Sequence, residues 1–156
     1  MNDDERWLAE AVDLAVANVH DGGGPFGAVV VRGGEVLAVG QNRVTRDNDP
    51  TAHAEVEAIR AACAAIGDFS LAGCTLYASC EPCPLCLAAA LWARLDRVVY
   101  AADRDDAARG GFDDRAFYEL FSRPRESWDV QVEHVSLPVA SKPFDTWLAD
   151  PDRTAY

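Results

Sequence analysis

The chain has a single lysine, Lys142, and 14 basic residues in all against 26 acidic ones, for a formal charge of −12. No arginine cluster replaces the missing lysines. Binding to a polynucleotide needs a basic stripe that displaces counterions from phosphates, so this balance argues against nucleic acid and favours a small, neutral ligand. No apolar run approaches the roughly 18 residues that cross a bilayer, and no membrane span is expected. Met1–Glu5 is acidic and unlike a secretory or mitochondrial targeting segment, so a cytoplasmic protein is expected. Repeats, low-complexity tracts and linkers are absent too, and residues 1–156 suit a single domain with one core. Finally, five cysteines are an odd count, with Cys80, Cys83 and Cys86 inside seven residues. That spacing is a poor disulfide framework and a better metal or catalytic cluster.

Periodicity supplies the elements. Glu5–His20 carries apolar residues at spacings of three and four, an amphipathic helix ended by Asp21-Gly22-Gly23-Gly24-Pro25. Phe26–Val31 and Val36–Val39 are β-rich and joined by Arg32-Gly33-Gly34-Glu35, which suits a tight hairpin. A polar loop over Asn42–Pro50 precedes an alanine-rich helix predicted for Thr51–Ile66. Cys74–Ala78 reads as a buried strand, Pro84–Arg94 as a helix and Val98–Ala101 as a strand. Asp113–Phe121 is a predicted helix, Val130–Val135 a last strand and Phe144–Ala149 a final short helix. The order implies an α/β fold: a three-layer α-β-α sandwich around a five-stranded mixed sheet.

Chemistry concentrates at two predicted helix starts, His53-Ala54-Glu55 and Pro82-Cys83-Pro84-Leu85-Cys86. Cys83 and Cys86 are three apart, so one helical turn can aim both sulfurs at one point. The partial positive charge of a helix N-terminus favours thiolates. Two thiolates and the His53 imidazole fill three tetrahedral positions around one Zn2+, leaving the fourth open as in a catalytic site. Glu55 then lies beside that position as a proton carrier. Taken singly, Cys-x-x-Cys could also be a redox pair, half of a structural zinc site or two buried thiols. Cys80 could be a fourth ligand that closes the site, but as the residue ending a strand it fits packing better. Cys63 and Cys74 read as buried thiols.

His-x-Glu followed by Pro-Cys-x-x-Cys is the pattern of zinc nucleobase deaminases. With Gly24–Val29, Gly40-Gln41-Asn42, Asn48–Glu55, Ser79–Cys86 and Gly111–Asp114, the chain resembles the cytidine deaminase-like superfamily, and within it the bacterial guanine deaminases. The first four stretches are shared with tRNA adenosine and cytosine deaminases. Phe112-Asp113-Asp114 and the tail through Phe144 and Trp147 to Tyr156 point to guanine. The resemblance implies a role for each matching residue. Asn42 hydrogen-bonds the purine, Phe26 and Trp92 form aromatic walls, and the backbone of Ala54 and Cys83 lines the reacting centre. Asp114 accepts from guanine N–H groups, and a tail of about 141–156 covers the active site with Tyr156 near the substrate. It also implies a homodimer, in which the tail over a site can come from the partner subunit. Structural alternatives exist for each: Asn42 as a turn residue, Phe26 and Trp92 as core, Asp114 as a helix cap.

Hydrolysis of guanine to xanthine and ammonia is the expected reaction, with a purine base as the small-molecule partner. A carboxylate suits guanine because N1–H and the 2-amino group both donate, whereas adenine N1 would face it with a lone pair. Guanosine, cytosine and adenosine in tRNA are the alternative substrates. A zinc-stabilised nucleobase-binding protein is the non-enzymatic alternative, although such a protein would not need Glu55.

Overall fold

The first helix opens on a reciprocal cap: the Asn2 side chain accepts from the Glu5 N–H, and the Glu5 carboxylate accepts from the Asn2 N–H. The computed structural model describes all 156 residues, and its contacts divide them into two compact units, Met1–Glu119 and Leu120–Tyr156.

In the first unit, α1 (Asp3–His20) leads into a hairpin of β1 (Gly27–Arg32) and β2 (Glu35–Gln41). Gly33 and Gly34 make its turn with φ of 59° and 81°, a pair of left-handed positions that glycine adopts without a Cβ clash. α2 (Val44–Asp47) is one turn of helix inside the segment predicted as loop. α3 (Ala54–Ile66), β3 (Cys74–Cys80), α4 (Pro84–Trp92) and β4 (Arg97–Ala102) follow, then α5 (Arg104–Arg109) and α6 (Asp114–Phe121), whose last two residues belong to the second unit.

The sheet order is β2-β1-β3-β4, with β1 antiparallel to both neighbours and β3 parallel to β4. β1 is buried on both faces, and its alternation sorts residues between two layers. Val29 and Val31 pack with Tyr77 against Trp7 and Ala11 of α1. Ala28 and Val30 pack with Leu76 against Ala54, Ala58 and Ala62 of α3 and Ala90 of α4. Fully burying a valine or leucine contributes about 1.5–3 kcal/mol, so this doubly covered strand anchors the unit. The α/β sandwich is as expected, but the sheet has four strands, not five.

The missing strand is Val130–Val135, which lies in the second unit without a ladder partner. Its valines are exposed. Alternating valines describe a surface that could be half buried, but a strand exists only where another backbone completes its hydrogen bonds. The second unit contains a short 3-10 turn (Arg125–Ser127) and α7 (Lys142–Ala149). Phe121 meets Trp128 edge-on at 5.2 Å, and Trp147 meets Tyr156 at 6.4 Å.

α3 begins at Ala54 and not at Thr51, because the Asp49 carboxylate takes both the Thr51 N–H and hydroxyl at 2.8 and 2.7 Å. That local turn leaves His53 as the cap. Small residues then let α3 lie directly on the sheet. A Cβ on Gly40 would sit 2.1 Å from the Ala54 carbonyl oxygen and 2.5 Å from the Ala58 nitrogen. Across the other face, Asp4 of α1 accepts from the Tyr77 hydroxyl at 2.7 Å and from two Arg97 nitrogens at 2.9 and 2.7 Å.

Gly40→Ala is expected to destabilise the fold by about 1–3 kcal/mol, because backbone and not a flexible side chain must move; urea unfolding measures it. The Arg97 contacts, with the Tyr77 hydroxyl, hold the Asp4 carboxyl down from 3.8 to about 2. Its stabilisation is therefore complete above 3.8 and is lost as pH falls through about 2. The difference in urea midpoint between the parent and Asp4→Asn should accordingly shrink as pH is lowered from about 5 to about 2.

Candidate active site

β3 ends at Cys80, and the chain passes through Glu81 and Pro82 to Cys83, which precedes α4 in an extended conformation (φ −67°, ψ 169°). Pro84 follows as the first helical residue, where its fixed φ and missing N–H cost nothing. His53 stands in the same place before α3, also extended (φ −72°, ψ 152°). Such cap positions usually carry Ser, Thr, Asp or Asn, whose oxygens accept from first-turn N–H groups. Neither His53 nor Cys83 makes a side-chain cap bond. The two side chains meet each other instead.

Cys83 Sγ lies 3.4 Å and Cys86 Sγ 3.3 Å from His53 Nδ1, with 3.6 Å between the sulfurs. A tetrahedral zinc with bonds of about 2.3 Å to sulfur and about 2.0–2.1 Å to nitrogen requires ligand separations of about 3.5–3.8 Å, so this triangle matches within a few tenths. Two sulfurs and one imidazole are also the soft donors that zinc prefers over magnesium or calcium. The residues fit the ion.

The electrostatics follow from burial and from this contact. Cys86 and His53 hydrogen-bond the Cys83 sulfur and hold its thiol down to about 4 against the opposing effect of burial. Cys86, hydrogen-bonded with Cys83 and buried beside Glu55, is pushed up. His53 is raised by Cys83, although burial opposes it. Glu55, 6% exposed, accepts from Cys86 Sγ at 3.4 Å. Burial lifts its carboxyl to about 7, near the point where one group can both take and return a proton at neutral pH. Cys80 lies outside the donor triangle. Its Sγ faces the Asp103 carbonyl at 3.7 Å, and burial pushes its thiol up to about 12.

These groups open on a cavity of about 480 Å³, within the usual range for small-molecule sites. His53, Glu55 and Cys83 line it together with Asn42, Phe26 and Asp114, as the sequence led us to expect. Asp114 is the first residue of α6, and burial raises its carboxyl, with the Cys83 charge adding to this. Ala54 is fully buried at the start of α3, between His53 and Glu55. Trp92, expected as a second wall, is not among the lining residues. It ends α4, 63% exposed, with the Arg94 guanidinium 5.5 Å from its ring centre. Tyr156 belongs to the second unit, where it meets Trp147.

Three contributors were not anticipated. Phe112 also lines the cavity and meets Phe26 edge-on at 4.8 Å; its position two residues before Asp114 was the available signal. Glu81 lines the cavity as well, its carboxyl held low by Arg104, and an acidic residue inside the Cys-Glu-Pro-Cys run could have flagged it. Asn18 left no signal in the sequence. It is 1% exposed on α1, and its Nδ2 donates at 2.8 Å to both the Gly24 and Asn42 carbonyls, joining two walls of the cavity. A Cβ on Gly23 would fall 2.5 Å from that same nitrogen, which accounts for glycine there.

Comparison with known proteins matches residues 1–102 to the cytidine and deoxycytidylate deaminase zinc-binding region. The chain is 51% identical to the guanine deaminase of Bacillus subtilis strain 168, over 97% of this chain and 98% of that protein. A crystal structure of guanine deaminase from Bacillus subtilis superposes with a TM-score of 0.95 at 48% identity, covering 100% of this chain and 99% of the other. Similarity to the tRNA-specific adenosine deaminase of Bacillus subtilis is 39% identity, over only 65% of this chain and 63% of that one.

Purified protein is expected to carry about one zinc per chain, measured by elemental analysis. Cys86→Ser and His53→Ala should lose most of it, whereas Cys80→Ser should keep it; zinc loss in Cys80→Ser alone would place Cys80 among the ligands.

Proposed function

The chain belongs to the cytidine and deoxycytidylate deaminase zinc-binding family, and from that premise we propose that it hydrolyses guanine to xanthine and ammonia. The observation that carries the choice of base is Asp114, which lines the same cavity as His53, Glu55 and Cys83. Full-length similarity to a guanine deaminase supports the same choice.

Zinc held by His53, Cys83 and Cys86 supplies, when bound, a Lewis acid that brings the pKa of a water to about 7. The protein's own residues do the rest. Glu55 takes a proton from the attacking water as oxygen adds to C2 of guanine. It returns that proton to the ring nitrogen and carries the proton of the new C2 hydroxyl to the departing amine, so that the C2–N bond breaks, C2=O forms and ammonia leaves. Glu55 is buried beside Cys86, where it is shielded from bulk water as a proton carrier. Asp114 accepts from N1–H and the 2-amino group, which an adenine could not supply at N1. Asn42 offers its side-chain amide to the purine while its Oδ1 accepts from the Val44 N–H at 3.2 Å. Phe26, braced by Phe112, forms the aromatic wall. Backbone N–H groups of Ala54 and Cys83, at the two helix starts, favour the negative charge that develops on oxygen.

The assembly that goes with this reading is a homodimer in which one copy's tail, about 141–156 and ending at Tyr156, covers the other copy's site. No helix of the chain is long and apolar enough to cross a membrane.

Ammonia release from guanine, guanosine, adenine, cytosine and tRNA tests the substrate. Turnover is expected on guanine, and turnover of adenine or tRNA without guanine would overturn the reading. Glu55→Gln should lower kcat about 10²–10⁴-fold with zinc content unchanged, and Asp114→Ala should lower kcat/KM for guanine about 10²-fold. Full activity in Glu55→Gln would exclude it as the proton carrier.

A further inference from the structure

Between the loop that carries Cys83 and the helix that carries Asp114 runs a set of contacts with no part in the reaction described above. Glu81 faces the cavity, but its carboxylate is already engaged. Oε1 accepts from Arg104 Nη2 at 2.6 Å, and Oε2 accepts from the Arg104 backbone N–H at 3.0 Å. The Arg104 guanidinium in turn lies over the Tyr118 ring, 3.6 Å from its centre, a cation–π contact. The Tyr118 hydroxyl donates to the carbonyl of Pro82, the residue before Cys83.

Tyr118 and Asp114 are four residues apart on α6, so they share one helix face and move together. α6 contains no buried residue. Its part-buried residues include Asp114 and Tyr118, and directional contacts reach it from Pro82, Arg104 and, through Arg115, Asp105. The Tyr118 hydroxyl ties the helix to the Cys83 loop, and Arg104 ties the Tyr118 ring to Glu81 of the same loop.

We propose that Tyr118 is a positioning residue: held by the Pro82 carbonyl and covered by Arg104, it sets where the Asp114 carboxylate stands relative to Cys83. It thereby governs recognition of the base, a role that rests on guanine being the substrate and Asp114 its acceptor. Tyr118 touches neither the base nor the reacting atoms. A displacement of about 1 Å in Asp114 is enough to weaken two directed hydrogen bonds while the chemistry at Glu55 continues.

The test is a double-mutant cycle on zinc-loaded protein, reading the dissociation constant of the guanine isostere 8-azaguanine. Tyr118→Phe, which removes only the hydroxyl, should weaken binding about tenfold. It should also raise KM for guanine by a similar factor, with kcat within about threefold of the parent and zinc content unchanged. In an Asp114→Ala background the same substitution should change binding less than about twofold. An equal loss in both backgrounds would overturn the proposal, as would unchanged KM, or zinc loss as the sole effect. Arg104→Gln carries the same expectation and serves if Tyr118→Phe does not fold. If the parent neither binds 8-azaguanine nor turns over guanine, the guanine assignment itself fails. An active parent with an additive cycle removes only the role of Tyr118.

Discussion

Two helices begin beside one another here, and each spends its cap position on a side chain aimed at the other. His53 before α3 and Cys83 before α4 forgo the oxygen cap that would normally stabilise each helix by about 1 kcal/mol. In exchange, an imidazole and two sulfurs close to within 3.3–3.6 Å of one another. That contact holds the Cys83 thiol down and pushes the Cys86 thiol up. A zinc held by these side chains would favour the thiolate form of both cysteines, which would couple metal binding to the order of both helix starts.

The depth at which α3 sits on the sheet decides where that meeting occurs. Gly40 and the alanines at 54 and 58 allow backbone to lie against backbone, and no side chain acts as spacer. A closely packed contact of this kind is stiff, which is what a metal site needs from its scaffold. The opposite wall of the cavity is built differently. Asn18 pins the Gly24 and Asn42 carbonyls through one buried amide, while the Tyr118 hydroxyl links α6 to the Pro82 carbonyl. The wall with His53 and Cys83 is set by packing, and the wall with Asn42 by directed hydrogen bonds.

Local chemistry was legible wherever it is encoded by neighbours in sequence. The Gly33-Gly34 turn, the Cys-x-x-Cys turn of helix and the amphipathic α1 all stand as read. α5 was not foreseen because its six residues have no apolar period; a reciprocal cap between Asp103 and Asp106 starts it instead. Val130–Val135 has the pattern of a strand but no partner to pair with, and pairing is a property of two segments, not one. Trp92 read equally well as core or cavity wall, and it is neither in this chain.

By itself, then, the sequence determined two local pairs, His53 with Glu55 and Cys83 with Cys86, because spacings of two and three at a helix start set such groups side by side; that the two pairs belong to one site came from the pattern they share with zinc deaminases. It also determined, by likeness, that Asn42, Phe26 and Asp114 belong with them. Only the tertiary structure decided what holds those residues in place. Asn18 lies 24 residues from Asn42, and Tyr118 lies 36 from Pro82. Contacts across such separations follow from how the layers stack, and no local pattern in the chain announces them.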